Sequence, residues 1–132
     1  MSASPFDSEP LGHVSIDDHG GVRVVRLVGE HDICTAKDVR AELDASAAEG
    51  GLVVSLAETE FFDSSIVHAL FDADGRLKER DRRLVLHVAT PSIVERVLDV
   101  SGLKQHVHCT ESLEEAIALA HQPIESAEWS TR

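Results

Sequence analysis

Phe61-Phe62-Asp63-Ser64-Ser65-Ile66-Val67-His68-Ala69-Leu70 marks a passage from a short extended segment into an amphipathic helix, and the rest of the chain orders itself around it. From Ile66 the apolar side chains recur at Leu70, Ala73 and Leu77, one stripe of a helix. Asp63, Ser64 and Ser65 carry short oxygen-bearing side chains that accept hydrogen bonds from the open N–H groups of a first turn, so they place the helix start. Ser64 or Ser65 therefore lies where backbone N–H groups point outward. A phosphate there would add about 1.5 to 2 negative charges, which a helix end can bind and which Asp63 and Glu60 would repel. The same tripeptide is also ordinary capping chemistry, so by itself it specifies only the start of the helix.

Upstream, Val14 and Ile16 alternate with polar neighbours, His19-Gly20-Gly21 supplies a turn, and Val22 to Val28 is β-branched and apolar, which predicts an opening hairpin. After Gly29-Glu30-His31-Asp32, Thr35 is placed to cap a helix with Asp38 three positions on; Ala36, Val39, Leu43 and Ala47 share its buried face until Gly50-Gly51. Leu52 to Leu56 reads as a short buried strand. Downstream, the Ser64 helix runs to about Arg80 with Gly75 inside it, and Lys78 to Arg83 reads as a solvated turn. Leu84 to Val88 is another strand. Thr90-Pro91 opens a helix with proline at its first position, burying Ile93, Val94, Val97 and Leu98 before Gly102. Val107 marks a short last strand, and Ser112 with Glu115 forms a capping box for a final helix carrying Leu113, Ala116, Ile117 and Ala120.

This order, β-β-α-β-α-β-α-β-α, predicts one α/β domain: a mixed, mostly parallel sheet of about five strands, entered by an antiparallel hairpin and packed with about four helices. The domain is expected over residues 12–121, between flexible segments at 1–11 and 122–132. In such sheets functional loops gather at strand C-termini. Glu30-His31-Asp32 and the segment Thr59 to Ser64 both follow strand ends on that edge, so they and the helix start should form one surface.

Composition narrows the function. The chain has 132 residues, 42% of them hydrophobic, enough for a single core. It has no apolar run of the ~18 to 20 residues that span a bilayer, and Met1 to Pro10 lacks the basic and apolar regions of a signal peptide. A cytoplasmic protein without membrane insertion is expected. Twenty-four acidic residues against 12 basic ones give a net charge of −12, which repels nucleic acid and anionic membranes. An effect on transcription would then pass through another protein, although the acidity equally serves solubility. Cys34 and Cys109 are too few and too far apart for a disulfide framework or a CxxC zinc site.

No catalytic frame stands out. The chain lacks GxGxxG and GxxxxGK[ST], so it carries no phosphate cradle of its own. Its eight histidines are scattered, and only His106-x-His108 could put two imidazoles on one strand face; no metal or cofactor is expected. Ser64, His68 and Asp72 fall along one helical ridge rather than around a reacting carbon, and there is no GxSxG elbow. The expectation is a binding protein, not an enzyme.

Taken together, three segments resemble a STAS domain of the bacterial anti-sigma factor antagonist family over about residues 12 to 121. They are the strand Val22 to Gly29 followed by Glu30-His31-Asp32 and Thr35; Phe61-Phe62-Asp63-Ser64-Ser65; and Val94-x-x-Val97-Leu98-x-x-x-Gly102-Leu103. The resemblance implies partner switching. The unmodified protein would bind an anti-sigma factor with serine kinase activity and so free a sigma factor. Phosphorylation of Ser64 would block binding, and a phosphoserine phosphatase would restore it. It also implies a docking surface made of Glu30, His31, Asp32, Thr59, Glu60, Asp63, Ser64, Ser65, Ile66 and His68. The chain departs from the family where small residues usually follow the hydroxyls. Here Ile66 and His68 are expected either to crowd Ser64 against a kinase or to retune partner choice. Ser55 stands where many members carry an aspartate. The alternative is a STAS module that is not phosphorylated, such as a regulatory or lipid-transport complex subunit.

Overall fold

A computed structural model of the chain describes residues 12–47 and 50–123; the flexible segments expected at 1–11 and 122–132 lie outside them, except for Gln122 and Pro123. Strands β1 (Gly12–His19) and β2 (Val22–His31) form the predicted hairpin. Its two-residue turn is Gly20 (φ 63°) and Gly21 (φ 94°), where both residues need the left-handed region that glycine enters freely. Then come helix α1 (Ile33–Ala47), strand β3 (Leu52–Ser55), strand β4 (Thr59–Phe62) and helix α2 (Ser64–Lys78). Strand β5 (Leu84–His87), helix α3 (Ile93–Ser101), a 3₁₀ turn at Leu103–Gln105, strand β6 (His108–Thr110) and helix α4 (Leu113–His121) complete the described chain.

The sheet runs β1-β2-β3-β5-β6, parallel except for β1, and β4 pairs with β2 beyond the end of β3. Alternation along β2 shows why helices sit on both faces. Val25 and Leu27 enter the core with Val39 and Leu43 of α1, Leu70 and Leu77 of α2 and Leu98 of α3. Val22 and Val24 turn the other way and meet Ala116 and Ala120 of α4.

Several local expectations change. β4 is a sixth strand: Thr59–Phe62 is only four residues long and pairs with β2 past a register shift between Gly29 and Glu30. Helix α1 starts ahead of Thr35, because the Asp32 carboxylate accepts from Cys34 N–H at 2.8 Å and caps it. Pro91 is not the first residue of α3; Ser92 caps that helix by accepting from Glu95 N–H at 3.0 Å. Ile93, expected in the core, is 67% exposed. The stretch from Lys78 to Arg83 is not all solvated: Arg83 is buried, and its guanidinium donates to the carbonyls of Gln122 and Pro123. Only half of the capping box expected at α4 forms: Ser112 Oγ accepts from Glu115 N–H at 3.1 Å, whereas Ser112 N–H donates to the Thr110 hydroxyl oxygen, and that hydroxyl in turn donates to the Glu115 carboxylate.

Candidate functional site

The two loops meet because β4 hydrogen-bonds to the end of β2, which sets Glu30 beside Phe61 and His31 beside Phe62. His31 fixes the turn out of β2 from below. It is fully buried, and its Nε2 lies 3.1 Å from the Val28 carbonyl. That oxygen can only accept, so Nε2 carries the proton, while Nδ1 faces the Thr35 hydroxyl at 3.1 Å. Gly12 permits this packing, since a Cβ there would overlap the Glu30 carbonyl and come within 2.8 Å of His31 Nε2. From the other side, Thr59 donates its hydroxyl to the Leu27 carbonyl at 2.5 Å.

Asp63 is the N-cap of α2. Its Oδ1 accepts from Ser65 N–H at 3.0 Å and from the Ser65 hydroxyl at 2.5 Å. The Ser65 hydroxyl, aided by backbone N–H groups of Ser65, Ile66 and Ile33, holds the Asp63 carboxyl below the usual carboxylate range against a smaller opposing effect of burial. The Ile33 contribution brings the start of α1 to the start of α2. Ser64, the first helical residue, is exposed, and among the described residues nothing takes up its hydroxyl.

The structure divides the expected docking residues. Glu30, Asp32, Glu60, Ser64 and His68 are exposed, and Asp63 and Ser65 are half-buried at the same edge. His31, Thr59 and Ile66 offer no surface to a partner, because each is buried under the strand ends or against the core. Their expected place in the docking surface is corrected: they hold the loops and helix that carry the exposed residues. Ile66 therefore does not crowd Ser64, since it points into the core between the sheet and the helices. His68, one turn after Ser64, keeps its bulk at the surface.

A groove of about 460 Å³ opens between α2 and α3. Asp63, Ser64, Val67, His68 and Phe71 form one wall, and Ile93, Arg96, Val97, Val100 and Ser101 the other. Ile93 and Val100 are 67% and 81% exposed, and Ile33 at the start of α1 and Phe61 near the end of β4 add exposed apolar surface. The docking surface expected from the sequence leaves out the α3 wall. The sequence held a signal for it: Ile93, Val97 and Val100 make a second apolar stripe beside Val94 and Leu98, more than one buried face requires.

Other combinations fail on geometry. Asp72, the third member of the Ser64 ridge, is held by Arg40 at 2.5 Å, an ion pair that joins α2 to α1 and lowers the Asp72 carboxyl. His106 sits outside β6, its ring edge-on to Phe71 and its Nδ1 3.1 Å from the Gly102 carbonyl, so His106 and His108 share no strand face. Among the described residues no three His, Cys, Asp or Glu side chains gather as metal ligands, and no helix is long and apolar enough to cross a membrane. Burial pushes the Cys109 thiol up to about 11, away from reactive thiolate chemistry. In a second groove of about 440 Å³ beside Cys109, Lys104 pairs with Glu95 at 3.2 Å and the Thr110 hydroxyl donates to Glu115 at 2.5 Å. At the end of β3, the Ser55 hydroxyl lies 2.9 Å from His87 Nδ1 on β5.

Comparison with known proteins agrees with this arrangement. The model of the STAS domain matches residues 13–116. An anti-sigma F factor antagonist of Paenibacillus polymyxa is 30% identical over 93 residues, covering 68% of this chain and 79% of that protein. The crystal structure of an anti-sigma factor antagonist from Mycobacterium paratuberculosis superposes with a TM-score of 0.75 at 23% identity, over 92% of this chain and all of the other. The Bacillus cell fate determinant SpoIIAA in its phosphorylated form gives a TM-score of 0.64 at 25% identity, over 81% of this chain and 98% of that one.

Proposed function

The chain belongs to the STAS domain family, and on that footing we propose that it is an anti-sigma factor antagonist that works by partner switching in the cytoplasm. The observation that carries this reading is the position of Ser64: an exposed hydroxyl free of described partners, lining a mostly apolar groove with exposed Ile93 and Val100 on its other wall. Unmodified, this face takes up an anti-sigma factor with serine kinase activity, through apolar contacts with the groove and polar contacts with Glu30, Asp32, Glu60, Asp63 and His68. The sigma factor is thereby released. The protein performs no chemistry of its own; the kinase moves a phosphoryl group onto Ser64 Oγ, and a phosphoserine phosphatase removes it.

The physical cause of switching is desolvation. A phosphate carrying about 1.5 to 2 charges at the centre of an apolar interface must leave water on binding, which costs several kcal/mol unless it is paired. Asp63 and Glu60 deepen that cost, while the helix start that would receive the phosphate is already capped by Asp63. The test is to titrate Ser64→Ala and Ser64→Asp against the kinase-type anti-sigma factors of the protein's own cell. Binding kept by alanine and weakened by aspartate supports the switch. Equal binding by both would leave a constitutive STAS module.

A further inference from the structure

Arg96 stands apart from most arginines of this acidic chain. Arg23, Arg26, Arg40 and Arg76 pair with Asp18, Asp17, Asp72 and Asp44, and Arg80 and Arg83 donate to backbone carbonyls. Arg96 is exposed on α3 and joined to no carboxylate among the described residues; its neighbour Glu95 is taken by Lys104. It lines the same groove as Ser64, on the opposite wall, with His68 one turn beyond Ser64 on the near wall. The groove is otherwise mostly apolar, and its one carboxylate, Asp63, is occupied by the Ser65 hydroxyl and backbone N–H groups.

We propose that the phosphate on Ser64 is held by the Arg96 guanidinium from across the groove, with His68 beside it, so that modification closes the mouth of the groove as well as charging it. A guanidinium suits this role because it presents a rigid fork of donors that matches two phosphate oxygens, and its flexible stem lets it swing from the α3 wall. The pair also offsets the repulsion from Asp63 and Glu60 that a phosphate on Ser64 meets in the free protein, but it does not restore docking, because a partner covering the groove would have to desolvate both charges of the pair. Arg96 is thus a positioning residue for the modified state. In the unmodified protein it is left free to receive an acidic side chain of the docked partner, for which the phosphate then competes. This inference rests on the reading of Ser64 as a modified residue at the docking groove.

The experiment uses the full chain with phosphoserine genetically encoded at position 64, so that it needs neither kinase nor partner. The phosphorus NMR signal is titrated with pH at low salt in the otherwise wild-type chain and with Arg96→Ala, Arg96→Lys and Arg82→Ala. A guanidinium against the phosphate favours its dianion, so Arg96→Ala should raise the titration midpoint by about half a pH unit. Arg96→Lys should recover part of the difference. Arg82→Ala, an exposed arginine beyond the far end of α2, should change it much less. A midpoint that Arg96→Ala moves no further than Arg82→Ala does would overturn the proposal. Partner switching itself stands or falls separately, on the Ser64→Ala and Ser64→Asp titrations.

Discussion

Ser64 and Ile66 stand two positions apart on the first turn of α2 and face opposite media: Ser64 is exposed at the groove mouth, and Ile66 is fully buried among the core residues. The larger side chain at position 66 therefore adds to the core and leaves access to the serine unchanged. Ile66→Ala should cost about 2 to 5 kcal/mol in denaturant unfolding. Where the variant remains folded, it should leave binding at the Ser64 face nearly unchanged. His68→Ala should do the reverse, with little effect on stability and a measurable change in partner affinity. A larger change in binding from Ile66→Ala than from His68→Ala would contradict this division.

The Asp63 cap gives acid sensitivity of a defined sign. Its carboxyl is depressed in the folded protein, so its contribution is present above the unfolded carboxylate value and is lost as pH falls through the lower, folded value. Asp63→Ala should lower stability by about 0.5 to 2 kcal/mol at neutral pH, the usual cost of losing such a cap. The gap from wild type should narrow below about pH 4. Ser65→Ala removes the largest cause of the depression and should move the Asp63 carboxyl back up, as carboxyl carbon shifts would record.

Asp74 behaves in the opposite sense. Burial raises its carboxyl, and Lys78, one turn on at 2.8 Å, only partly offsets this. A raised carboxyl lowers stability as pH climbs from the unfolded value to the folded one. Lys78→Ala should therefore cost about 1 to 3 kcal/mol at neutral pH, where the buried carboxylate loses its cation. The cost should largely vanish near pH 3, where Asp74 is protonated. Urea unfolding at the two pH values measures the difference, and an equal loss at both would contradict it.

Gly75 lies inside α2, is exposed, and has open space around the position of a Cβ. It carries no positive φ, so nothing requires glycine there. Gly75→Ala should raise stability by about 0.5 to 1 kcal/mol. A rise in thermal midpoint without a change in partner binding is the expected result.

Local patterns carried most of the fold. The hairpin, the apolar stripe from Ile66 to Leu77 and the helix cap at Ser112 are encoded by neighbouring residues, and each stands where periodicity and cap chemistry put it. Glu30-His31-Asp32 and the Ser64 loop were legible as one edge because right-handed crossovers in a parallel sheet bring successive strand ends to the same side. Strand β4 was not legible. Its four residues show no alternation, and it exists through hydrogen bonds to β2, 30 or 31 positions earlier.

What the sequence determined by itself was the order of every strand and α-helix but β4, the acid balance and the helix start at Asp63-Ser64-Ser65, because these depend on composition or on side chains a few positions apart. Tertiary structure alone decided which of the candidate residues reach the surface. Periodicity tells which residues share a face, but coverage depends on the element packed against that face. The sheet and the helices bury His31, Thr59 and Ile66, while no described element covers Ile33, Phe61, Ile93 or Val100. The same packing sets Arg96 across from Ser64, 32 positions away in the chain, an encounter that neither local pattern contains.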